Sequence, residues 1–171
     1  WLVAFASNLS AVWILVANAW MQSPVGFTIR NGRAELTDFA AVVFQPWAIL
    51  EVLHTLFGAY ILAGFFVMGI SAYYLLKRRE QALFKSSLRY GLAMGLIFSV
   101  GIIFEGHWHA AILVGKQPAK LAAMESHWET TTNAPAFLLA IPDEENERNS
   151  LEVGRMPGML SFLARHDTNA S

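Results

Sequence analysis

One imidazole stands inside a long apolar run. From Pro46 to Leu76 the chain reads PWAILEVLHTLFGAYILAGFFVMGISAYYLL, where Glu51 and His54 are the only acidic or basic side chains. An ionisable group at membrane depth is costly unless it faces the protein interior and serves a purpose there. At about 100° per residue, Glu51, His54, Thr55, Gly58, Gly69 and Ala72 fall on one stripe of a helix. Gly58, one turn beyond His54, leaves room for a bulky planar group or a neighbouring helix. Neutral imidazole is a standard axial ligand of haem iron, which makes His54 a candidate haem ligand. The competing reading of the stripe is a packed helix seam holding a hydrogen-bonded histidine.

Other chemistry-bearing residues are weaker signals. His107 and His109 follow Glu105-Gly106 at the end of another apolar stretch. On a helix they diverge by about 200° and would not chelate one ion together; on an extended segment they would share a side. They read first as interfacial histidines. Lys120 and Glu125 sit about 140° apart on a continuous helix and, by spacing alone, make a surface ion pair. Ser7, Ser10 and Asn18 fall within about an 80° arc of the first apolar run, giving it one polar face. Hydrogen bonding between helices is the expectation for Ser7.

The elements that must carry these residues are membrane helices. The 171 residues are 55% hydrophobic, and a mean hydropathy of +0.40 argues against a soluble globular domain. A net charge of −1 gives no electrostatic case for nucleic acid. Cysteine is absent, which excludes disulfides, iron–sulfur clusters and thiolate zinc sites. The opening WLVAFAS, with no methionine and no charged leader, reads as a chain cut from something longer. Apolar runs at about 1–22, 46–77 and 86–114 are each long enough to span a bilayer. The fold class expected is all-α: a polytopic transmembrane helix bundle with three spanning helices.

Between the first two spans, Asn31-Gly32 flanked by short alternating runs signals a type I′ hairpin. Asp38 could cap a short interfacial helix, and Pro46 suits the first position of the long one. Lys77, Arg78, Arg79, Lys85 and Arg89 cluster around the second connector, against Arg30 and Arg33 in the first. The positive-inside rule therefore assigns 77–89 to the cytoplasm and residues 115–171 to the outside. His54 then lies in the outer half of the membrane. Beyond Lys116, Leu121, Met124 and Trp128 form the apolar face of an amphipathic helix over 118–130. Asp143-Glu144-Glu145-Asn146-Glu147 reads as a solvated acidic stretch, and 159–165 as a short helix.

Several segments together resemble subunit I of cytochrome bd-type quinol oxidases. They are NLSAVWILVAN at 8–18, WMQSPVG at 20–26, VLHT at 52–55, and KLAAME at 120–125 with Trp128-Glu129. They occur in the family's order across essentially the whole chain. The resemblance implies the middle of that subunit: its fourth to sixth transmembrane helices, a haem-binding region at 1–114, and at 115–171 the first part of the extracytoplasmic quinol-binding loop. It implies that His54 is an axial ligand of the low-spin haem b, that Lys120 and Glu125 take part in quinol oxidation, and that Ser10 belongs to a proton path. It also implies a bacterial cytoplasmic membrane, a second oxidase subunit, and molecular oxygen as the electron acceptor. A further haem b and a haem d would be held by residues outside this chain. Ala19 replaces the family's usual glycine, and His107 stands where an acidic residue is common. Two other readings compete: a dihaem b membrane anchor of a quinone-linked dehydrogenase, using His54 with His107 or His109, and a non-catalytic helical membrane scaffold.

Overall fold

Three helices dominate the structure, a computed structural model that describes residues 1–170. They are α1 (Leu2–Gln22), α3 (Pro46–Leu76) and α4 (Gln81–Lys116), each long and apolar enough to cross a membrane. Between α1 and α3 lie β1 (Phe27–Arg30), β2 (Arg33–Leu36) and α2 (Phe39–Val43). After α4 come α5 (Pro118–Met124), β3 (Leu139–Asp143), β4 (Arg148–Val153) and α6 (Met159–Arg165). Two compact units divide the chain, Trp1–His107 and Trp108–Ser171.

In the first unit, α1 and α3 run antiparallel. Gln22, at the end of α1, bonds to Glu51 near the start of α3, and Asn8 bonds to Tyr60 two to three turns further along. Val16 and Ala19 are the buried residues of α1, and Trp47, Ala48 and Leu50 are buried at the start of α3. Pro46 occupies the first turn of α3, where a missing N–H costs nothing. The hairpin forms at the expected place, with Asn31 and Gly32 at φ 51° and 73°, as a type I′ turn requires. Asp38 caps α2 through Oδ1, which accepts from the Ala41 amide at 2.9 Å. Phe66, Leu96 and Phe104 are among many large apolar side chains left exposed, as suits helices solvated by lipid.

The seam between α3 and α4 differs from the stripe read off the sequence. A Cβ on Gly58 or Gly69 would meet nothing within 4 Å, so neither lies in a packed seam. Gly64 does: its Cβ would stand 2.8 Å from the Gly95 nitrogen and 2.9 Å from the Gly91 oxygen. Gly91 and Gly95 are four residues apart on α4, the small-xxx-small spacing that lets helix backbones touch. Phe57 and Tyr60 then pack on Phe98, with ring centroids 5.3 and 4.8 Å apart. Helix α4 also begins at Gln81, ahead of the expected Ser86. Gln-Ala-Leu-Phe-Lys is a good helix-forming run, and Phe84 stacks on Tyr74 of α3 at 4.6 Å and 9°.

In the second unit, α5 is shorter than the apolar spacing suggested. Ser126 takes φ 57°, the His127 amide bonds to the Ala122 carbonyl at 2.8 Å, and the Ser126 amide to that of Ala123. This is a Schellman cap with serine in the left-handed position usually given to glycine. The helix ends at Met124, so Trp128 is not on its face; its indole donates instead to Asn149 Oδ1 at 3.1 Å. The acidic stretch is the turn of a second hairpin, β3 on β4, with a register shift at Ile141/Pro142. Helix α6 spans 159–165 as expected, and its buried Ser161 hydroxyl accepts from the Ala134 amide at 2.8 Å.

Candidate functional site

His54 is presented two turns into α3 and meets a partner 51 positions along the chain. Its Nδ1 lies 2.6 Å from Glu105 Oε2 on α4. The two side chains differ sharply in exposure, 54% for His54 and 4% for Glu105. A carboxylate oxygen accepts, so this contact suits a proton on Nδ1, which in the neutral ring leaves the lone pair on Nε2. That is the tautomer a metal-binding imidazole needs, with its other nitrogen anchored by a carboxylate. Gly58, one turn on, adds no side chain to the face beside the ring, where a Cβ would have open space. An oriented, half-exposed imidazole beside an open glycine face fits an axial ligand of haem.

The Nδ1 partner comes from α4 and not from Glu51 or Thr55 on the stripe of α3, and Glu105 does not mark the end of the apolar stretch. Glu105 is instead buried, on a helix that runs unbroken past it. Glu51 belongs to a different cluster: its Oε1 accepts from Trp47 Nε1 and from Gln22 Nε2, both at 2.9 Å. Gln22 also bonds to Asn18 Oδ1 at 2.6 Å, which ties the polar face of α1 to α3. Ser7 makes no bond between helices there; its hydroxyl donates to its own helix at Val3 O, 2.8 Å away. Ser10 lies on an exposed part of α1. Because α4 is helical through His107 and His109, the two histidines point to different sides, and His107 is exposed.

In the second unit, Lys120 is exposed on α5, while Glu125 is the half-buried C-cap residue. The Glu125 amide still bonds to the Leu121 carbonyl at 3.0 Å, so the two lie on different sides of one short helix, and the chain turns only afterwards, at Ser126. A cleft of about 500 Å³ is lined by Ala123, His127, Trp128, Pro142 and Glu144, among others. Lys120 and Glu125 are not among its lining residues, although Ala119 and Ser126, their chain neighbours, are. His127 Nε2 is 2.9 Å from the Pro135 carbonyl oxygen, and its ring packs against Phe137. At the hairpin turn, the Asn146 side chain holds the Asp143 carboxyl below its usual range, helped by the Asn146 amide and Arg148.

Three helices long and apolar enough to cross a membrane, one of them carrying an imidazole bonded to a carboxylate of the next, define the class as a multi-pass membrane protein. The profile of the family described as "Cytochrome bd terminal oxidase subunit I" matches residues 1–171, and the chain belongs to that family. It is 43% identical over 165 residues to "Cytochrome bd ubiquinol oxidase subunit 1" of Bacillus subtilis (strain 168), covering 96% of this chain and 35% of that protein. It is 41% identical over 169 residues to "Cytochrome bd-II ubiquinol oxidase subunit 1" of Escherichia coli (strain K12), covering 97% and 33%. The chain thus spans about a third of the length of these relatives. Its fold is similar to a chain in "The structure of bd oxidase from Geobacillus thermodenitrificans", with a TM-score of 0.83 at 32% identity. That likeness covers 98% of this chain and 38% of the other.

Proposed function

We propose that this chain is the central part of a quinol:oxygen oxidoreductase subunit, in which His54 is an axial ligand of the low-spin haem b. The observation that carries the reading is the His54 ring: oriented through Nδ1, half exposed, and set beside the open face of Gly58. Family membership supports it independently, through relatives named as ubiquinol oxidase subunits.

On this reading, 1–114 forms the haem-binding membrane region and 115–171 the first part of a quinol-binding loop outside the bacterial cytoplasmic membrane. Quinol oxidation to quinone releases two electrons and two protons. Lys120 supplies a hydrogen-bond donor for a quinol oxygen, and Glu125 a carboxylate able to take a hydroxyl proton. The exposure of Lys120 and the position of Glu125 at a chain reversal support a role at an accessible surface. When bound, the haem supplies a one-electron acceptor between quinol and the oxygen-reducing centre. That centre, with a further haem b and haem d, would be completed by helices outside this chain and by a second subunit. Ser10, on the polar face of α1, would belong to a path for protons toward it.

His54→Ala in the full-length oxidase tests the assignment. The expected result is loss of the low-spin haem b absorption and of quinol-driven turnover. A His54→Ala enzyme that kept its full low-spin spectrum would overturn it.

A further inference from the structure

We infer that Glu105 is a positioning residue for His54: its buried carboxylate locks the imidazole and lowers the reduction potential of the haem held there. The inference rests on His54 being the ligand. Its own evidence is the 2.6 Å Nδ1–Oε2 contact and the burial of Glu105 to 4% exposure.

A carboxylate is costly to bury in a membrane helix, and an unbound imidazole does not explain why one is placed here. An iron-bound imidazole does. Donation from Nδ1–H to a carboxylate makes the ring a stronger electron donor at Nε2, and outer-shell partners of this kind tune a metal as well as orient its ligand. Stronger donation stabilises ferric over ferrous iron. The negative charge acts in the same direction, because adding an electron to the haem brings like charge toward it, and burial weakens the screening. Both effects lower the potential.

Geometry also accounts for the choice of helix. His54 sits on α3 and Glu105 on α4, so the contact fixes the ring against the neighbouring helix rather than along its own. Along α3, the nearest acid is Glu51, one turn away, and it is occupied by Trp47 and Gln22. The Gly64–Gly91–Gly95 contact and the Phe57–Phe98 pair hold the α3–α4 spacing on which this bond depends.

The test uses Glu105→Gln and Glu105→Asp in the full-length oxidase, with a spectroelectrochemical titration of the low-spin haem and a measurement of haem content. Glu105→Gln keeps an acceptor oxygen but removes the charge. It should retain the haem and shift its midpoint potential upward, whereas Glu105→Asp should restore most of the wild-type value. Loss of the low-spin haem in Glu105→Gln with retention in Glu105→Asp would equally support a carboxylate anchor. An unshifted potential in Glu105→Gln would overturn the inference, as would loss of every haem in both variants, which would make Glu105 a residue that holds the fold. His54→Ala separates the two levels. A low-spin haem that survives it removes the ligand assignment itself, whereas a haem lost in His54→Ala but unshifted in Glu105→Gln removes only the role of Glu105.

Discussion

Gly64 of α3 and Gly95 of α4 meet backbone to backbone, with a Cβ on Gly64 placed 2.8 Å from the Gly95 nitrogen. Neither partner is a flexible side chain that could yield. Gly64→Ala should therefore push the helices apart at a cost of about 1–3 kcal/mol, the usual range for overpacking. Gly69→Ala, where nothing lies within 4 Å, should cost nothing. Thermal melts of the detergent-solubilised oxidase would compare the two; equal melting temperatures would mean that the seam contributes little.

Orientation can be tested with thiol labelling. The cations at 77–89 should hold that connector in the cytoplasm, with the loop after α5 outside. Cysteines at Gln81 and Asn133 of the full-length protein should react oppositely with a membrane-impermeant reagent in intact cells. Labelling of Gln81→Cys from outside would reverse the topology.

For the proposed quinol loop, Lys120→Ala and Glu125→Ala should each lower quinol-driven turnover, the second by a factor on the order of 100 through loss of the proton acceptor. The haem spectrum and oxygen consumption with an artificial donor that bypasses quinol should persist. Equal loss with both donors would assign these residues to holding the loop together.

The Asp143 turn gives a pH dependence. Its folded-state carboxyl titrates below the ordinary 3.8, chiefly because Asn146 bonds to the charged form. A depressed acid contributes stability above its unfolded pKa and loses it as pH falls through the lower, folded one. Hydrogen exchange in the β3–β4 hairpin should thus accelerate only below about pH 4, beyond the intrinsic pH trend. Asp143→Asn should abolish that acid-specific step. A wild-type step centred near pH 6 would point to a histidine instead.

What the sequence made legible was local chemistry. Asn31-Gly32, Asp38 and Pro46 each act within a few residues, and each appears where its chemistry places it. The three apolar runs were legible because a bilayer demands length. Glu105 was not, since a partner 51 positions away depends on the angle at which two helices meet. Gly64 was overlooked because the seam was inferred from the polar stripe of α3, whereas the glycines of α4 decide which face packs. Trp128 was assigned to a helix face because nothing local marks Ser126 as left-handed. The second hairpin was hidden by Pro142 and by its charged, mostly exposed strands, whose alternation is broken at the register shift.

Helix α3 is anchored unevenly. Trp47, Ala48, Leu50 and Glu51 are buried within its first turns, and only Gly64 and Ser71 are buried in the rest. Under a mechanical pull from the Lys77 side, α3 would peel in a fixed direction. The half held by Gly64, Ser71 and the Tyr74–Phe84 stack would come free first, and the segment from Pro46 to Glu51 last. The buried cluster ends at Glu51, three residues before His54, so the imidazole stands one turn beyond the best-held part of its helix.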